Sequence, residues 1–150
     1  MKQVRFTKEG YEKLKKEYND LLSERKLAVE DLQKARAMGD LSENGYYKAA
    51  RFKLSSIDRN LRRSSSNLEK AIIISTTPVG FVSIGSRVTV SDGKTEVTYS
   101  VVGDIEADPS KKKISLLSPL GLAIAGKKTG DQVAIETPSG KITYNVVKVS

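Results

Sequence analysis

Two acids three residues apart, Asp40 and Glu43, stand in the run GDLSENGYYKAAR, residues 39–51 of a chain of 150 residues that has neither histidine nor cysteine. A carboxylate pair at that spacing has two readings. After Gly39, which ends a helix readily, Asp40 can accept a main-chain N–H as an N-cap while Glu43 reaches back to the cap N–H, forming a capping box. Alternatively, both carboxylates can ligate a hard cation. Mg²⁺ suits oxygen donors but demands an octahedron, so two acids hold it only with further ligands from a substrate or partner. The missing residue types narrow the chemistry further. Without imidazole or thiolate, Ser-His-Asp and Cys-His nucleophile systems and the usual zinc sites are excluded, and no disulfide can form.

The chain is basic, with formal charge +8 and pI ≈ 9.6, which favours a polyanionic partner or simply maintains solubility. The surplus is uneven. Residues 1–71 carry 17 Lys/Arg against 11 Asp/Glu, and residues 72–150 carry 9 against 7. Arg36, Lys48 and Arg51 flank the acidic run, and Lys53, Arg59, Arg62 and Arg63 continue beyond it. These more distant charges, like Lys111-Lys112-Lys113, fit a solvated face. With 38% hydrophobic and 29% charged residues and no apolar run near the roughly 18–20 residues of a membrane span, a water-soluble protein without a membrane segment is expected. The opening MKQVRFTKEG lacks the apolar core of a secretory signal, and a cytoplasmic location follows as the expectation.

The elements that must position the acids are helices. Thr7 can cap the first, with Glu9 in its first turn. Tyr11, Leu14, Tyr18, Leu21, Ala28, Leu32 and Ala35 then recur at spacings of three and four, interrupted by Arg25. After the Gly39 break, Tyr47, Ala50, Leu54, Ile57, Leu61, Leu68 and Ala71 repeat the pattern, with Ser64 as its weak position. Two helices of about 30 residues joined by a short turn fold back as an antiparallel hairpin roughly 45 Å long. Beyond Ala71 the period changes to two. Residues 87–90 and 95–101 read as strands around an Asp92-Gly93 turn, residues 113–117 as another strand, and residues 133–137 with 141–149 as a closing hairpin around Pro138-Ser139-Gly140. Leu120 to Ala125, after Ser118-Pro119 and before Gly126, suits a short helix packed on the sheet. The expected class is α+β, with a helical hairpin over residues 1–75 and a β-rich domain over residues 76–150.

Gly39-Asp40-Leu41-Ser42-Glu43-Asn44, followed by Tyr47, Ala49, Ala50 and Arg51, resembles the tip motif of the Gre transcript-cleavage factors of bacterial RNA polymerase. Thr7-Lys8-Glu9-Gly10 agrees at the start. In the second half, Val102-Gly103-Asp104-Ile105-Glu106-Ala107-Asp108, Ile114-Ser115, Ser118-Pro119-Leu120-Gly121, Gly126-Lys127, Gly130-Asp131 and Thr137-Pro138-Ser139-Gly140 are similar to that family's C-terminal signatures, in order. The resemblance implies a coiled-coil hairpin that enters the polymerase secondary channel and an FK506-binding-protein-like domain that docks at its mouth. It implies no prolyl isomerisation, for which nothing in these residues speaks.

By residue match, Asp40 and Glu43 are the tip acids that hold a catalytic Mg²⁺ jointly with the polymerase, the isolated protein carrying no cofactor. Arg36 and Arg51 match positions expected to hold the RNA 3′ end, Lys48 between them is expected to join that contact, and Asp104, Glu106, Ala107, Asp108, Ser118 and Pro119 are implied docking contacts. The chain would then be no enzyme itself but a monomeric donor of carboxylates to the polymerase, which cleaves the 3′ end of backtracked nascent RNA. Two departures stand out. Gly45-Tyr46 replaces the small residue and acid common in the family, adding a ring that can stack on an unpaired base, worth about 1–3 kcal/mol where it forms. The overall charge is also basic. The alternative is a channel-occupying relative that modulates or inhibits polymerase without promoting cleavage. A third reading, a coiled-coil adaptor unrelated to transcription, is disfavoured by the C-terminal signatures.

Overall fold

The computed structural model describes residues 2–39, 44–74 and 80–150. It divides into two compact units, Glu12–Lys70 and a second made of Met1–Tyr11 with Ala71–Ser150.

The first unit is built from α1 (Lys8–Arg36) and α2 (Gly45–Glu69). Every apolar stripe position within it is at least partly buried, and Ala28, Ala35 and Ile57 are the most enclosed. Arg25 pairs with Asp58 and Arg36 with Tyr47, so numbers rise along one helix as they fall along the other: the hairpin is antiparallel. The interruption of the stripe also has its reason. Arg25 Nε lies 2.7 Å from Asp58 Oδ1, replacing an apolar contact by an ion pair. That pair is partly exposed and contributes only about 0.2–1 kcal/mol.

The second unit holds two sheets among the described residues. In the smaller, β1 (Val4–Phe6) pairs in parallel with β2 (Ala71–Ile73), Val4 facing Ala71 and Phe6 facing Ile73. The sequence periodicity carries the second helix through Ala71. Instead α2 stops at Glu69, the Lys70 N–H bonds back to Ser66 O and Leu68 O, and the chain goes straight into β2. Phe6 is fully buried and meets Tyr11 edge-on, ring centroids 6.1 Å apart.

The larger sheet is formed by β3 (Arg87–Ser91), β4 (Glu96–Val102), β5 (Lys113–Ser115), β6 (Gln132–Thr137) and β7 (Gly140–Val149), in the order β5-β4-β3-β7-β6. All neighbours are antiparallel except β4 and β5. The Asp92-Gly93 turn joins β3 to β4, with Asp92 Oδ1 accepting the Lys94 and Thr95 N–H groups at 2.9 Å each. The helix α3 (Pro119–Ile124) lays Ile124 onto Val82, Ile84, Val88, Val90, Val101, Val133 and Val146. Strand alternation supplies Val88, Val90, Val101, Val133 and Val146 from one face of the sheet, the segment before β3 adds Val82 and Ile84, and this is the unit's core.

Candidate functional site

The hairpin turn is the first candidate. The tip acids Asp40 and Glu43, with Leu41 and Ser42, lie outside the described residues. The cap of α2, however, is described, and it is Asn44, not Asp40. Asn44 Oδ1 accepts the Tyr47 N–H at 3.0 Å, the N-cap bond to the third helical residue. Asn44 Nδ2 also donates at 2.6 Å to Ala35 O in the last turn of α1, a carbonyl that accepts the Met38 N–H as well. One side chain thus ties the end of one helix to the start of the other. A second link lies beside it: the Arg36 guanidinium sits 5.8 Å from the Tyr47 ring centroid, within cation–π range of about 6 Å.

Around this clasp Arg36, Lys48 and Arg51 are exposed, and Tyr46 is 74% exposed. The structure therefore brings together, at one end of the hairpin, the four residues named for RNA contact. Met38, 65% exposed, adds an apolar side chain that the charge pattern does not signal. From Asn44 to Ile57 no acid offsets Lys48, Arg51 and Lys53. Among the described residues no group of three or more His, Cys, Asp or Glu side chains is placed to hold a metal ion. The donor set of Asp40 and Glu43 suits Mg²⁺ by its oxygen chemistry and falls short of a full ligand shell by number.

The second candidate, in the other unit, is the segment after β4. Asp104 and Glu106 turn inward. Asp104 Oδ1 lies 2.8 Å from Arg5 Nη2, its Oδ2 accepts the Arg5 main-chain N–H at 2.7 Å, and the side chain is only 10% exposed. Glu106 accepts the Thr7 N–H at 2.8 Å, the Gly103 N–H at 2.9 Å and the Thr7 hydroxyl. Thr7 Oγ1 in turn accepts the Gly10 N–H at 3.0 Å, capping α1 as its residue type suggests. The two glycines follow from this arrangement: a Cβ on Gly10 or Gly103 would overlap the Glu106 carboxylate, and on Gly103 also Arg5 O.

Both carboxylates thus hold β1 and the start of α1 within their own unit, a role the turn-like sequence does not announce. Alternation sends their neighbours outward. Ile105, 49% exposed, and Ala107 face solvent. Asp108 caps the short 3₁₀ turn Pro109–Lys111, accepting the Ser110 hydroxyl at 2.6 Å and its N–H at 3.1 Å. The Ser110 hydroxyl, aided by the Ser110 N–H and the Lys111 charge, lowers the Asp108 carboxyl below the ordinary aspartate value. Ser118 caps α3 by accepting the Gly121 N–H at 3.0 Å, and Pro119 is exposed at the first helical position. Leu117 and Leu122, 51% and 64% exposed, are apolar surface in the same stretch that polar turn residues conceal in the sequence.

Residues 4–73 match the family model "Transcription elongation factor, N-terminal", and residues 76–150 match "Transcription elongation factor, GreA/GreB, C-term". The chain is 39% identical over 152 residues to the transcription elongation factor GreA of Thermodesulfovibrio yellowstonii, covering 98% of this chain and 96% of that protein. It is 40% identical over 148 residues to GreA of Rickettsia bellii, covering 95% and 92%. Among solved structures, that of the transcription factor Gfh1 aligns over 99% of both chains at 27% identity with a TM-score of 0.51.

Proposed function

This chain belongs to the GreA/GreB transcription elongation factors, and from that premise we propose that it inserts its hairpin into the secondary channel of bacterial RNA polymerase and stimulates cleavage of the 3′ end of backtracked nascent RNA. The observation that carries the reading is the hairpin turn itself. An antiparallel pair of helices, clasped by Asn44, exposes Arg36, Tyr46, Lys48 and Arg51 around a turn whose sequence includes Asp40 and Glu43.

The roles follow from side-chain chemistry. Asp40 and Glu43 would hold a Mg²⁺ ion jointly with polymerase carboxylates. The chemistry such an ion supplies when bound is activation of a water and neutralisation of charge at the scissile phosphate. Arg36, Lys48 and Arg51 attract and orient the extruded RNA through its phosphates, and Tyr46 offers its ring to an unpaired base. The hydrolytic centre is the polymerase's, with this chain as donor of two carboxylates. In the second unit, Asp104 and Glu106 shape the docking segment from within, while Ile105, Ala107, Asp108, Leu117, Ser118 and Pro119 provide side chains to the polymerase surface.

Asp40→Ala and Glu43→Ala test the assignment. Each should abolish stimulated cleavage on stalled elongation complexes while competing for polymerase as well as the parent. If both variants cleave at the parental rate, the catalytic role fails. Polymerase inhibition by the parent without release of a 3′ fragment would favour the channel-occupying alternative.

A further inference from the structure

Between the two helices, toward the turn, lies a cleft of about 360 Å³ floored by Ala28 and Ala35 of α1 and Ala49 and Ala50 of α2. Its origin is legible in residue size. Small side chains stand where the hairpin seam would otherwise carry leucine, and Ala28 and Ala35 are 2% and 4% exposed although the space above them is open. The volume is at the small end of the range for ligand sites, about 300–1,000 Å³, enough for one planar ring system.

Met38 and Tyr46 stand at its mouth, both strongly exposed. Lys34 and Lys53 border it from opposite helices, and neither makes an ion pair among the described residues. Asp31 is the one acid in the described lining. The cleft is thus apolar within, aromatic at its mouth and cationic on both sides. That combination fits a heterocyclic base with a phosphate before and after it. It fits a peptide strand poorly, because the main-chain groups of both helices are already paired.

We propose that this cleft receives one unpaired base of single-stranded RNA, the base seated over the alanines against Tyr46 and Met38, with its flanking phosphates at Lys34 and Lys53. Asp31 offers acceptor oxygens to an exocyclic amino group. The inference rests on the RNA-handling role given to the hairpin above, and adds to the exposed Tyr46 ring an apolar cleft in which the base is seated, with Lys34 and Lys53 for its flanking phosphates.

The test compares binding of the full-length protein to two short oligoribonucleotides of equal length, one carrying 2-aminopurine at its centre and one abasic there. The parent should bind the base-bearing strand about tenfold more tightly, within the range of a single aromatic stack, and should quench its fluorescence. Ala49→Leu, at an exposed helical position, fills the cleft and should erase that difference while leaving abasic affinity and salt dependence as in the parent. If the parent binds both strands equally, or Ala49→Leu keeps the preference, the base site is wrong and the phosphate contacts stand. If neither strand binds and Ala49→Leu weakens competition for polymerase, the cleft serves a polymerase surface, and the RNA role of the hairpin falls with it.

Discussion

Asn44 makes two hydrogen bonds that no apolar side chain can replace, one to each helix of the hairpin. Asn44→Ala should lower stability by about 1 kcal/mol for the lost cap, and by a further fraction for the bond to Ala35 O, which keeps the Met38 N–H as a donor. Asn44→Asp separates the two bonds, since a carboxylate still accepts the Tyr47 N–H but cannot donate to Ala35 O. Its urea-unfolding midpoint should fall between those of the parent and Asn44→Ala. Because Asn44 provides the cap, Asp40 is not needed for it, and the sequence alone could not separate these roles: Asp-x-x-Glu and Asn-x-x-Tyr compete for the same helix start, and only main-chain geometry decides. Two other carboxyls give a pH prediction. The Thr95 and Lys94 N–H groups lower Asp92, and the Ser110 hydroxyl lowers Asp108. A folded-state value below the unfolded one, about 3.9, means that the unfolded chain binds more protons in acid. The stabilisation is therefore complete above that pH and is lost as pH falls through the lowered folded values. NMR titration of the side-chain carboxyl carbons should place both midpoints below that of a free aspartate, and Asp108→Asn should remove its share of the acid-side slope.

At the scale of elements, the Glu106 carboxylate joins three parts of one unit: Thr7 ahead of α1, Gly10 within its first turn, and Gly103 after β4. Glu106→Gln keeps one oxygen for the Thr7 and Gly103 N–H groups but removes the charge and puts an NH₂ where Oε1 accepted the Thr7 hydroxyl, and should cost about 1–3 kcal/mol. Gly10→Ala gives a sharper test because the intrinsic preference has the opposite sign. Alanine is favoured over glycine inside a helix by about 1 kcal/mol, yet here its Cβ must displace the Glu106 carboxylate. The variant should be less stable than the parent, and paired with Glu106→Ala the loss should shrink or reverse. A more stable Gly10→Ala single variant would show that the carboxylate does not hold this position. The long stripes of α1 and α2 and the alternation of β3, β4, β6 and β7 were readable because each repeats often enough to outweigh single exceptions. The pair of β1 and β2 was not. Three residues carry no period, and the partners Val4 and Ala71 lie too far apart in sequence for any local signal. The inward turn of Asp104 and Glu106 was hidden for the same reason, since their partners Arg5 and Thr7 are more remote still.

For the whole molecule, chain order and packing divide the protein differently: the opening strand and first helical turn pack with Ala71–Ser150. Residues 76–150 alone would leave Asp104 without Arg5 and Glu106 without Thr7, so that fragment should unfold at lower temperature than the same residues in the full chain. The hairpin fragment should in turn bind polymerase more weakly than the full chain, which gains effective concentration from a second contact. Equal affinities would remove the docking role. The central claim, that this chain brings about cleavage of backtracked RNA through its tip acids, is most directly measured with stalled elongation complexes of the cognate polymerase whose transcripts are labelled at the 3′ end. Adding the parent protein should release a short labelled fragment and restore elongation from the new 3′ end, and adding the Asp40→Ala, Glu43→Ala double variant at saturating concentration should do neither. Release of the fragment by the double variant, or no release by the parent despite demonstrated binding, would contradict the account.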